Sequence, residues 1–249
     1  MNIRQKIKEA SLELAGDVIV RDVRIGLVYT AVLLDNGQLG VAFTFRGDSK
    51  AGCSVFKAIR PLAGKKASEM LAMLDSTDRV ESAVALATSN ALSNIMNEDP
   101  LEGDTLEYLD IHPEDNVAMV GYFAPLVPLL KKRAGSLKVF EQIDLAKGDL
   151  LPEKDLYGQL PHCQVAVITS TSILNHTIDA ILNAARTCRE VVLLGASTPI
   201  LPEVFVDTPV KILSGVVFTD NEEIMRIVSE GGGMRLFKKH IRKINVRIR

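Results

Sequence analysis

Val117-Ala-Met-Val-Gly121, Leu137-Lys-Val-Phe-Glu141, Val165-Ala-Val-Ile-Thr169, Val191-Val-Leu-Leu-Gly195 and Lys211-Ile-Leu-Ser-Gly215 decide the fold of this chain. Each is a short apolar run that ends in a small or polar residue. Helix-like segments lie between them at about 125–134 and 173–186, with a short one between the last two, and another follows at about 221–229. That alternation is what a parallel sheet covered on both faces produces. Sheets of this kind bind ligands in the crevice beyond the carboxyl ends of their strands. The spacing therefore predicts a doubly wound, mostly parallel sheet over residues 111–249, with a site at that edge.

Outward from these runs the pattern changes. Ile3, Ile7, Ala10 and Leu14 recur at helical spacing before Gly16. Three strand-like runs follow, 18–25, 29–34 and 39–45, the last two joined by Asp35-Asn36-Gly37-Gln38, a hairpin signal because Asn and Gly tolerate positive φ. Two helices are predicted from Ser68 to Leu74 and from Arg79 to Met96. Asp78 and Glu81 have capping-box spacing, and Val80, Ala83, Val84, Ala87, Ala91 and Ile95 give the second helix one narrow apolar face. Residues 1–110 thus read as an α+β unit. The acidic stretch from Asn97 to Asp115, with Pro100 and Pro113, carries the boundary. The tail from Lys238 interleaves apolar and basic residues and reads as a terminal strand or hairpin with a solvated basic face, a phosphate or RNA patch being the lesser reading because no aromatic platform accompanies it.

Composition narrows the function classes. With 47% hydrophobic residues in 249, a large core needs no disulfide or metal. A net charge of −2 argues against a dedicated nucleic-acid binder. Cys53, Cys163 and Cys188 form no CxxC, which suits a reducing cytoplasm. The opening MNIRQKIKEASLEL reads as an amphipathic helix rather than a leader, and no apolar run reaches membrane-spanning length. A homodimer is the default assembly.

The strand ends supply the candidate site residues. Gly121-Tyr-Phe-Ala-Pro125 occupies the place of a phosphate loop, where free N–H groups at a helix start favour an anion. It is not GxGxxG, and Tyr122 and Phe123 add bulk where a pyrophosphate needs close backbone approach. Glu141 stands where an acidic residue accepts ribose hydroxyls in such sheets. Thr169-Ser-Thr-Ser172 precedes a helix carrying Asn175, offering one cap and spare hydroxyls. Gly195-Ala-Ser-Thr-Pro199 repeats the design with Thr198. Arg46, in the polar loop Arg46–Cys53, and Asn90, late in the second helix, could complete a cleft between the units. His162-Cys163 and the scattered His112, His176 and His240 do not specify a metal site.

The stretches GVAFTFRG, ALATSNAL, MVGYFAPL, GDLLP, ITSTSILNHT, LLGASTPILP and LSGVVFTDN, in this order and spacing, resemble the heavy-metal chelation family over nearly the whole chain. The resemblance implies an enolase-N-terminal-like domain followed by a Rossmann-like domain, with a site at their junction. It also implies chemistry on pterin-, flavin- or siderophore-like metabolites linked to heavy-metal chelation. Carried onto this chain, it points to Gly121, Tyr122, Phe123, Glu141, Thr171, Asn175, Gly195, Thr198 and Pro199. Four functions stay open, the last a nucleic-acid role through the basic tail. One is an enzyme condensing or hydrolysing such a metabolite, with Glu141 as general base. The second is a non-catalytic carrier of a metal chelate. The third is a methyltransferase-like enzyme, although the glycine-rich first motif of methyltransferases is missing. The cofactor and the metal are left open.

Overall fold

The computed structural model describes residues 1–45, 60–95 and 101–248. Arg46 and Cys53 fall outside them. Helix α1 (Ile3–Ala15) starts at Asn2, whose side chain accepts from Gln5 N at 2.9 Å while Gln5 Oε1 accepts from Asn2 N. It buries Ile3, Ile7, Ser11 and Ala15, a strict four-residue stripe, and leaves Leu14 47% exposed. The expected Ala10 and Leu14 lie off the stripe.

Strands β1 (Val20–Ile25), β2 (Tyr29–Leu34) and β3 (Leu39–Phe43) form the antiparallel meander, with Gly37 at φ +83° in the turn. Helix α3 (Arg79–Ser93) covers it, and helix α2 (Ala67–Leu71) packs against α3 and α1. Asp78 caps α3 by accepting from Val80 N and Glu81 N. The expected capping box does not close, because the Glu81 carboxylate accepts from Ser76 Oγ at 2.6 Å instead. Nor is α3 a surface helix with one apolar stripe. Every residue from Ser82 to Asn94 is buried, and Ile95 is exposed. Its small residues let β3 approach so closely that a Cβ on Gly40 would sit 2.1 Å from Ala87 O.

The second sheet contains β4 (Leu101–Glu102), β5 (Asn116–Val120), β6 (Ser136–Glu141), β7 (Leu150–Pro152), β8 (Val165–Thr169), β9 (Glu190–Leu194), β10 (Ile212–Phe218) and β11 (Ile241–Arg247). The intervening helices are α4 (Val127–Arg133), α5 (Leu156–Gln159), α6 (Ile178–Ala184), α7 (Pro202–Phe205), α8 (Asn221–Ser229) and α9 (Met234–Phe237). The spatial order is β4-β11-β10-β9-β8-β5-β6-β7. β5 through β10 run parallel, whereas β11 is antiparallel to β10 and to β4. Counting from β5, the parallel part has the 3-2-1-4-5-6 order of doubly wound sheets. Val165 to Ile168 are fully buried, as a strand covered on both faces requires. The expected doubly wound α/β architecture with an N-terminal α+β unit is what the chain adopts.

Candidate functional site

The chain leaves β5 for β6 and β7, then returns to the other side of β5 at β8. This reversal opens a crevice beyond the carboxyl ends of β5, β6 and β8. A cavity of about 460 Å³ lies there. Gly121, Tyr122 and Phe123 line it after β5, and Glu141 and Gln142 at the end of β6. Thr169, Thr171, Ser172, Asn175 and Thr177 line it after β8. Phe43, Thr44 and Phe45, at the end of β3, form the roof, and Glu153 closes one side.

Backbone geometry sets the floor. Gly121 has φ +86°, and its N–H bonds Phe140 O at 2.8 Å across the ladder. The following turn directs Tyr122 N at Glu141 Oε2, 3.0 Å away. Glu141 Oε1 accepts from Gln142 N at 2.9 Å. Phe123 N points to Met119 Sδ. Tyr122 and Phe123 therefore offer no spare N–H to a phosphate. The anion cradle expected at 121–125 is filled by a carboxylate of the chain itself.

On the opposite wall, Thr169 Oγ1 and Thr171 Oγ1 are 3.0 Å apart, and Ser172 Oγ donates to Thr169 O. Asn175 Oδ1 accepts from Thr177 N and Thr177 Oγ1, and its amide nitrogen donates to none of the described residues. Next to it, His176 takes the left-handed conformation at φ +65°, which is strained for a residue with a side chain. Its ring meets the Arg4 guanidinium. Burial, then the charges of Arg4 and Arg79, hold its pKa below the usual histidine range. Arg79 lies over the Phe45 ring at 4.9 Å.

The fourth strand end behaves differently. Thr198 is fully buried, and Pro199 is buried as well. Gly195 (φ +132°) turns the loop under α3, where a Cβ would meet Ser170 Oγ. Asn94 Nδ2 donates to Thr198 O at 2.9 Å, and Asn94 Oδ1 accepts from Ile200 N at 2.9 Å. Asn90 Nδ2 donates to Val41 O at 2.7 Å and Ala196 O. Helix α3 therefore seals the ends of β9 and β10. Gly195, Thr198, Pro199 and Asn90 form a structural seam and do not line the cavity, whereas Gly121, Tyr122, Phe123, Glu141, Thr169, Thr171 and Asn175 do. Arg46 lies outside the described residues. Phe43, Phe45 and Glu153 were not expected. The repeated Phe-Thr-Phe at a strand end was the signal for the first two.

The family model described as "Putative heavy-metal chelation" matches residues 104–247, more than half the chain. The chain belongs to the heavy-metal chelation family. A second model with the same description matches residues 7–93. An uncharacterized protein of Methanocaldococcus jannaschii is 28% identical over 257 residues, spanning 99% of this chain and 98% of that protein. The crystal structure of a family member of unknown function from Pyrococcus horikoshii superposes with a TM-score of 0.85 at 25% identity, covering 99% of this chain and 100% of that one. A second, from Desulfitobacterium hafniense DCB-2, gives 0.76 at 21% identity over 98% of each chain, a likeness of fold. Among the described residues no three His, Cys, Asp or Glu side chains stand together as a metal cage, and no helix is long and apolar enough to cross a membrane.

Proposed function

We propose that this member of the heavy-metal chelation family binds a small, planar, hydroxyl-bearing metabolite. A heavy metal would then enter as the cargo of that chelator and not as a bare ion. The cavity lies between the units we delimit as residues 1–110 and 111–249. The observation that carries the reading is Glu141. Its carboxylate occupies the N–H position that a phosphate would need, yet keeps lone pairs free for ligand hydroxyls. Tyr122, 54% exposed at the mouth, supports ring stacking, as do Phe43 and Phe45. Among the described residues no Lys, Arg or His lines the cavity, which favours a neutral or cationic ligand over a phosphorylated one.

Glu153 favours a second reading. Two carboxylates in one cavity are the equipment for acid–base condensation or hydrolysis, with Glu141 as the base. Native mass spectrometry of freshly purified protein tests both. Wild type is expected to carry an adduct small enough for the cavity, and E141Q and Y122A to lose it while melting like wild type. Absence of any adduct from wild type, or its retention in both variants, would reject binding at this site. Turnover predicts that E153Q traps an adduct of different mass; the same mass in both proteins rejects turnover through Glu153.

A further inference from the structure

Cys163 and Cys188 stand at the other end of the sheet, ahead of β8 and β9. The two strands pair in parallel with Val165 opposite Glu190. Carried back two residues, that register sets Cys163 opposite Cys188. The two segments are built alike. Each cysteine ends a turn of 3₁₀ helix, with its N–H on the carbonyl three residues back, Leu160 for one and Ala185 for the other. Each then enters its strand in extended conformation. The thiols converge on one peptide run: Cys163 Sγ donates to Gln159 O at 3.5 Å and Cys188 Sγ to Leu160 O at 3.7 Å. Thr187 Oγ1 adds a bond to Pro161 O at 2.8 Å. Both cysteines are buried, yet Pro161, His162 and Thr187 beside them are exposed, so the pair lies one residue beneath the surface.

We propose that Cys163 and Cys188 form a two-thiolate site for a soft, linearly coordinated monovalent ion, Cu(I). Registered neighbours on parallel strands stand about 4.8 Å apart. A disulfide bridges Cα atoms about 4.4–6.8 Å apart, so this spacing admits direct oxidation as well, and the test keeps the pair reduced. Side chains that start this close can also turn both sulfurs toward one ion between them, since two metal–sulfur bonds of about 2.3 Å, the length zinc takes, span about 4.6 Å between the sulfurs. Ligand number selects the ion. Zinc asks for four donors, whereas the described residues add no third metal-binding side chain here. Cu(I) is a soft ion that thiolates select, and two of them suffice for linear coordination. On binding, both thiols lose their protons to solvent, two copper–sulfur bonds form, and no electrons are transferred. The complex carries one negative charge; burial pushes the Cys163 thiol up, and the field of Lys138 opposes this only in part. Burial, then the neighbouring Cys163 sulfur, pushes the Cys188 thiol up to about 12. This site is independent of the pocket at the opposite edge.

The test uses the full chain with C53S, which removes the third cysteine, kept reduced and free of oxygen. Cu(I) is supplied as its coloured bicinchoninate complex. C53S is expected to withdraw one equivalent. C53S/C163A and C53S/C188A are each expected to bind roughly 100-fold or more weakly, because the second thiolate no longer closes the chelate. X-ray absorption of copper-loaded C53S should show two sulfur neighbours only. Failure of C53S to withdraw copper overturns the proposal. So does undiminished binding by both folded alanine variants, or nitrogen or oxygen in the copper shell. If the alanine variants do not fold, the absorption spectrum of C53S decides alone.

Discussion

Gly121→Ala probes the turn on which the pocket floor depends. Gly121 lies at φ +86°, and a Cβ there would sit 2.9 Å from both Cβ and Cγ2 of Thr169 on the neighbouring strand. The left-handed conformation costs an L-residue about 1–2 kcal/mol. Forcing a methyl into a closed contact adds about 1–3 kcal/mol. The sum, about 2–5 kcal/mol, is a large share of the roughly 5–15 kcal/mol that holds a domain together. Residues from both units share one buried cluster, so urea unfolding should follow a single transition. With a slope of about 2–3 kcal/mol per molar, the midpoint should fall by about 0.7–2.5 M while the slope stays unchanged. The two costs separate in a cycle. In a Thr169→Gly background the contact is gone, and Gly121→Ala should then cost only the conformational part, leaving a coupling of about 1–3 kcal/mol. The same variant should also lose the co-purified adduct, because Tyr122 N–H no longer meets Glu141. A change below about 0.5 kcal/mol, or equal costs in the two backgrounds, would refute the reasoning.

Asn94→Ala should strand Ile200 N–H and Thr198 O inside the seam between α3 and the second sheet. At about 1–3 kcal/mol for each group, the expected loss is about 2–6 kcal/mol by urea titration; a loss below about 1 kcal/mol would mean that the loop reaches water in the variant. Arg189→Gln should raise the pH of acid unfolding. Burial pushes the Asp115 carboxyl up, but Arg189 Nη2 at 2.6 Å and His112 N at 2.7 Å outweigh it and hold Asp115 below the usual carboxylate range. The stability this contributes is present above the unfolded value of about 3.9 and is lost as pH falls through the lowered folded value. Without Arg189, burial dominates and the loss begins at higher pH; superimposable acid-unfolding curves for the two proteins would contradict this.

The parallel sheet was legible because strands buried on both faces leave continuous apolar runs; the last run, Lys211–Gly215, stops short of the strand end, since β10 continues through Gly215 to Phe218. β4 and β7 were not, since two and three residues are too few to leave a period. Helix α3 was read as half exposed for a different reason. Ser82, Thr88, Ser89, Asn90 and Ser93 look like solvent-facing positions in any hydrophobic pattern, yet all are buried. Small polar side chains can be buried cheaply once paired, as Ser11 Oγ and Ser89 Oγ are at 2.7 Å and Thr88 Oγ1 is with Val84 O. Nothing local distinguishes such a helix from a surface one; the partners lie as much as 106 residues away.

That misreading explains which half of the site was visible. Every parallel strand ends at the same edge, so the glycine and hydroxyl clusters after β5, β8 and β9 looked equivalent in sequence. The N-terminal unit breaks the equivalence. Gly40 brings β3 against α3, and α3 then inserts Asn90 and Asn94 between β3 and the Gly195–Ile200 loop. One end of the carboxyl edge is thereby converted into core, and the same packing leaves Phe43 and Phe45 over the other end, at the β5–β8 reversal. A dinucleotide fold keeps that reversal open to phosphate by leaving backbone N–H groups unpaired. Here Glu141 takes one of them and Met119 the next. The residue that would bind ribose in such a fold has become part of the floor. A ligand entering this cavity meets a carboxylate, hydroxyls and ring faces before it meets any free backbone donor, which supports recognition of hydroxyl-bearing rings over phosphates.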